Sequence, residues 1–166
     1  ICSSKMERYS TLLHLLKVDT PQSAIIFVGE QSEKSKKAGN EPPTAALTRF
    51  LRTSYCGGLD LVLLEGDMNF NQRASTLAEV KQSGGYLLIA TDIAARGLDL
   101  PETTHIYNFD LPRDAVGYLH RAGRTCRKPF SQGRCYYVGT LITSEERFKL
   151  QRFENELIFR CEELLL

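Results

Sequence analysis

Five short apolar runs, each bounded by turn-forming or charged residues, set the tightest limit on how this chain can fold. They are Ala24 to Val28, Asp60 to Leu64, Tyr86 to Ala90, Thr104 to Phe109 and Arg134 to Val138, and they read as short buried strands. Helical patterns lie between most of them. Ser4 and Glu7 make a capping box before Met6, Tyr9, Leu12, Leu13 and Leu16, and Asp19-Thr20-Pro21 breaks that helix. Pro43 or Thr44 opens a second helix through Leu47, Phe50 and Leu51, which stops near Cys56-Gly57-Gly58. Arg73 opens a third that carries Leu77 and Val80 inward, and a short fourth has Val116 and Leu119 among its apolar positions. Thr143 and Glu146 repeat the capping-box pattern before Phe148, Leu150 and Phe153. Strands alternating with helices predict an α/β fold, with a mostly parallel sheet of five or six strands and helices on both faces.

Two polar stretches follow these strands: A-T-D-I-A-A-R-G-L-D from Ala90 to Asp99, and H-R-A-G-R-T-C-R from His120 to Arg127, with I-Y-N-F-D-L-P between them at Ile106 to Pro112. Their functional groups are expected at strand ends, where open parallel sheets bind ligands. Arg121, Arg124 and Arg127 recur at intervals of three, which keeps them roughly on one helical face. Guanidiniums gathered in this way repel one another, and a polyphosphate would relieve the repulsion through bidentate contacts.

Taken together, these stretches resemble motifs V and VI of the DEAD-box RNA helicases, with Ile25-Ile26-Phe27 and Gly66-Asp67-Met68 in the matching upstream order. The resemblance runs from the first helix to about Arg152 and implies the second, C-terminal RecA-like domain of such an enzyme. It implies Arg124 as an arginine finger, with Arg121 also on the phosphates, and Gly97 and Asp99 as nucleotide contacts, Asp99 accepting from a ribose hydroxyl. Gly66, Asp67, Arg73, Thr91 and Asp92 would lie along the RNA backbone, while Arg96, His120 and Arg127 would couple the two domains of the closed enzyme. Sequence-independent RNA, the preceding RecA-like domain and ATP with Mg2+ are the implied partners and cofactors.

This chain lacks a G-x-x-x-x-G-K-[ST] loop and an Asp-Glu pair after an apolar strand, so the domain alone should not hydrolyse ATP. The resemblance assigns both features, and the magnesium, to a first domain. Residues 1–166 read as one domain excised from a longer protein, long enough to bury about two-thirds of its unfolded surface. Its net charge of +1 provides no global field for nucleic acid, so any such affinity must be local. Five scattered cysteines without a C-x-x-C pair argue against a disulfide framework or zinc site and for a reducing, intracellular compartment. No apolar run approaches a membrane span, and a monomer is expected. The motif wording and the insertion fit a plant, plastid member.

Several positions depart from the family pattern. Glu65 replaces a usual histidine, Phe70 a usual glutamine, Cys126 a usual glycine, and Glu30 a small hydroxyl or amide residue near RNA. The stretch 29–43, with Lys34, Lys36 and Lys37 before Gly39, Asn40, Pro42 and Pro43, reads as a mobile basic insertion loop. These departures support a second reading, a catalytically inactive RecA-like platform for protein partners. The intact arginines and Asp99 favour the helicase.

Overall fold

In the computed structural model, which describes residues 1–82, 84–125 and 137–164, five strands pair in parallel. They are β1 (Ala24–Phe27), β2 (Asp60–Leu64), β3 (Tyr86–Ala90), β4 (His105–Asn108) and β5 (Tyr137–Thr140), in the order β2-β3-β1-β4-β5. Central β1 sets Ile25 opposite Leu88 on one side and Ile106 on the other. With a strand on each edge and helices on each face, all of Ala24–Val28 is buried, which explains its uninterrupted apolar character. The first four strands lie within two residues of their sequence-predicted bounds. The start of the expected fifth, together with Cys126, Arg127 and Cys135, falls outside the described residues.

One face of the sheet carries α1 (Glu7–Asp19) and α3 (Pro43–Ser54), whose Leu12, Leu16, Leu47 and Leu51 pack on Ala24, Ile26, Leu87 and Ile89. The other carries α4 (Phe70–Gln82) and the single turn α5 (Asp92–Ala95), where Leu77, Val80, Ala94 and Leu98 pack on Ile25, Phe27 and Leu88. Helices α6 (Ala115–Ala122) and α7 (Arg147–Leu157) form a satellite core through Tyr118, Leu150 and Phe153. The expected Ser4–Glu7 box is only half formed: Ser4 Oγ accepts from the Glu7 amide at 3.3 Å, but the Glu7 carboxylate accepts from the Ser3 amide, and α1 starts after Met6 without a side-chain cap. The Thr143–Glu146 box is complete.

One sequence expectation needs correction. The stretch read as irregular contains a helix, α2 (Glu33–Lys37). Ser32 Oγ caps it by accepting from Ser35, Lys36 pairs with Glu33 at 3.0 Å, and Gln31 ties its far side by donating to the Asn40 carbonyl at 2.7 Å. On α6 the apolar Val116 and Leu119 point outward, at 58% and 55% exposure. The face of α6 turned to the sheet carries Ala115, Tyr118 and Arg121 instead.

A charged network crosses the carboxyl end of this core. Arg8, on the inward face of α1 and 1% exposed, binds Asp110 at 2.5 Å and also Glu146 of the capping box. The other Asp110 oxygen accepts from the Gly29 amide at 2.9 Å. A Cβ at Gly29 would sit 3.2 Å from that oxygen, so the close approach uses the missing side chain. One arginine therefore joins α1, the exit of β1, the exit of β4 and the start of α7.

Glu146 is partly buried, which would raise its pKa, but the Thr143 amide and the Arg8 guanidinium outweigh burial and hold it below the usual carboxylate value. A carboxyl whose folded pKa is depressed adds stability above its unfolded pKa and loses it as pH falls through the folded one. Arg8→Ala should cost about 3 kcal/mol at neutral pH by leaving two partly buried carboxylates unpaired. Urea denaturation of wild type and variant between pH 7 and pH 3 checks this, since the variant should also lose part of the acid-dependent decline below about pH 4.5.

Candidate functional site

Because the strands are parallel, their carboxyl ends share one edge, and the first polar stretch begins there. Thr91 leaves β3 and caps α5, its Oγ1 accepting from the Ala94 amide at 3.2 Å. Glu30, just past β1, reaches the same turn, and its Oε1 accepts from the Ile93 amide at 2.9 Å. From the other side Arg73 Nη1 donates to the Ala94 carbonyl at 2.8 Å and reaches that of Ile93 at 3.4 Å. Arg73 sits in the first turn of α4, which Asn69 and Gln72 cap reciprocally at 2.9 and 3.0 Å. Exposed Gly66 and Asp67 lie between β2 and this cap. Gly66, Asp67, Arg73, Thr91 and Asp92, which the sequence groups together, thus all belong to the segments at the carboxyl edge.

Arg121 does not face outward with Arg124. It is 2% exposed, and its Nε and Nη2 each donate to one oxygen of Asp92, both at 2.8 Å. Nη1 donates to Asn108 Oδ1 at 3.1 Å and to the Asp110 carbonyl at 2.7 Å, and the guanidinium carbon lies 4.9 Å from the centre of the Phe27 ring. The fork is filled by Asp92, Asn108 and the Asp110 carbonyl, so in this structure Arg121 makes internal contacts on all three of its nitrogens. The Asp92 carboxylate, expected toward RNA, is directed at Arg121.

From Arg121 the helix runs back along the sheet, and Arg124 emerges near the amino end of β4, where its carbonyl accepts from the Thr103 amide at 3.1 Å. Thr125 Oγ1 secures the same place by donating to the Thr103 carbonyl at 2.7 Å. The first stretch runs the same way. Gly97 takes a left-handed φ of +73°, and Asp99 beyond it pairs with Lys81, in the last turn of α4, at 3.0 Å. Not all functional groups therefore gather at the carboxyl edge, because α4 and α6 return toward the amino ends of the strands and carry residues with them. Asp99 and partly exposed Arg124 flank the site at one end, and Gly66, Asp67, Arg73 and Thr91 at the other. Arg96 and His120 are exposed, and Arg127 lies outside the described residues.

Sequence reading missed Asn108, Asp110 and Arg8, which hold this arrangement from below. The available signal was polarity in apolar company: Asn108 and Asp110 interrupt a buried strand run, and Arg8 precedes Leu12 and Leu15 on the apolar face of α1. Among the described residues no three histidines, cysteines or carboxylates stand close enough together to hold a metal ion. Replacing Arg121 with lysine keeps the charge but loses the fork that spans both Asp92 oxygens. Arg121→Lys should destabilise the domain by about 1–3 kcal/mol, measured by chemical denaturation.

The family profile of the helicase conserved C-terminal domain matches residues 7–129. The chain is 64% identical over all 166 residues to chloroplastic DEAD-box ATP-dependent RNA helicase 58 of Arabidopsis thaliana, and 63% identical over 164 residues to the rice protein of the same name. It spans about a third of the length of these relatives, covering 35% and 37%. Among solved structures it is similar to the E. coli DEAD-box protein SrmB bound to regulator of ribonuclease activity A, with a TM-score of 0.76 and 27% identity, covering 99% of this chain and 87% of that one. A matched profile over most of the chain, an all-parallel five-stranded sheet and motif residues ordered along one face of it identify this chain as a member of the helicase conserved C-terminal domain family, the second RecA-like domain of a DEAD-box protein.

Proposed function

We propose that this domain is the C-terminal motor half of an ATP-dependent RNA helicase working in the plastid, and that it acts only when closed against a preceding RecA-like domain. The reading is supported by the family, by the chloroplastic relatives, and above all by the different settings of the two arginines. Arg121 is locked in the interior, while Arg124 stands partly exposed on a backbone tied to Thr103.

Phosphoryl transfer spreads negative charge over the γ-phosphoryl oxygens, and a guanidinium delivered from the facing domain stabilises that charge. Arg124 is the residue proposed for this role, and Asp99 would accept from the ribose. Arg121 acts through position, holding the segment that connects these residues to the carboxyl edge. At that edge Gly66, Asp67, Arg73 and Thr91 would meet the RNA backbone, a contact that reads no sequence. Arg96, His120 and Arg127 are proposed to bridge the domains, with Mg2+ held by the other one.

RNA-stimulated ATP hydrolysis by the full-length protein tests this reading. Arg124→Ala should lower turnover by about a thousandfold with little change in RNA affinity, and the isolated domain should be inert. Full activity in the Arg124 variant would refute the finger. No RNA-stimulated hydrolysis by the wild type would favour the docking platform.

A further inference from the structure

Among the described residues, Glu30 is a departure from the family pattern whose side chain hydrogen-bonds to the Thr91–Ala95 turn. We propose that Glu30 is an intramolecular competitor for the RNA backbone: its carboxylate occupies a backbone amide that a phosphate would otherwise take, and so weakens the domain's hold on RNA. This inference rests on the RNA reading above and adds a residue that tunes it.

The geometry around the contact is built rather than incidental. Glu30 follows Gly29, whose amide is fixed by Asp110, and Asp110 is in turn held by buried Arg8. From this anchored position its Oε1 reaches the Ile93 amide at 2.9 Å. The next two amides of the turn are already occupied within the segment, Ala94 by Thr91 Oγ1 and Ala95 by the Thr91 carbonyl. Arg73 grips the same turn through its carbonyls. The Ile93 N–H is therefore the donor whose partner comes from outside the segment, and that partner carries a full negative charge.

Two anions cannot accept from one N–H at hydrogen-bond distance, so a phosphate oxygen arriving there must displace the carboxylate and then remain beside it. Asp92 does not add to the repulsion in the same way, because Arg121 neutralises it. Exposed Asp67 on the neighbouring segment adds to it. A neutral acceptor would cap Ile93 equally well; the charge is what changes the consequence for a polyanion.

Glu30→Gln separates the two roles, since the carboxamide oxygen can still accept from Ile93 while the charge is gone. Binding of a labelled single-stranded oligouridylate to full-length protein, with a non-hydrolysable ATP analogue and over a salt series, reads the effect. The variant should bind about tenfold more tightly, and its log Kd against log salt should steepen by about 0.7 for each phosphate contact recovered. Equal affinity and slope in the variant and a wild type that binds RNA would overturn the inference, leaving Glu30 a cap and the RNA reading intact. Failure of both proteins to bind would overturn the two together. Glu30→Ala, with folding checked by thermal melting, should also bind RNA more tightly than the wild type. Weaker binding in both variants would show that the carboxylate helps RNA binding and would refute the proposal.

Discussion

The fork between Arg121 and Asp92 is the interaction on which the arrangement of this site depends. It joins α6 to α5 and fixes the end of one polar stretch against the other. Arg121 is buried while the Asp92 side chain keeps 40% exposure, and a guanidinium this deep is costly to desolvate unless almost every donor is satisfied. Here Asn108, the Asp110 carbonyl and the Phe27 ring complete the shell. Asp110 carries the connection on to Arg8, and through it to the Glu146 capping box. The two motif stretches are therefore positioned by one continuous polar network laid over an apolar sheet.

That network also accounts for the division of the site into two ends. Strands end at one edge, and the helices after β2 and β4 run back along the sheet, so a segment beginning at Thr91 at the carboxyl edge reaches Asp99 beside the last turn of α4. Arg121, in the last turn of α6, meets Asp92 and Asn108 at the carboxyl ends of β3 and β4, and the chain beyond α6 brings the Arg124 carbonyl to Thr103, just before the amino end of β4. The residues proposed for RNA and those proposed for nucleotide thereby lie at opposite ends of the strands, and Arg73 and Lys81 attach α4 to the connecting segment near both ends.

Strands were the most legible part of the sequence, because a strand between two others and covered on both faces must be apolar throughout, as β1 and β3 are. The capping box at Thr143–Glu146 was equally plain, being local chemistry of four residues. Long-range polar pairing was not legible. A spacing of three aligns Arg121 with Arg124 on a helix, but nothing local reveals that Asp92, distant in sequence, is the partner of the first of them. Nor does local sequence reveal that Ala115, Tyr118 and Arg121 fill the inward face of α6 while apolar Val116 and Leu119 stay exposed. Helix α2 was hidden by its lysines, which solvent tolerates and which a Ser32 cap suffices to start.

A double-mutant cycle on Arg121 and Asp92, comparing the unfolding free energies of Arg121→Ala, Asp92→Ala and the double variant with wild type, tests the central claim most directly. If the fork holds the two stretches together, the pair should show a favourable coupling of at least about 2 kcal/mol, since the second substitution costs little once the first has removed the contact. Additive losses, with a coupling below about 0.5 kcal/mol, would mean that each side chain is held independently and that the network does not position the site.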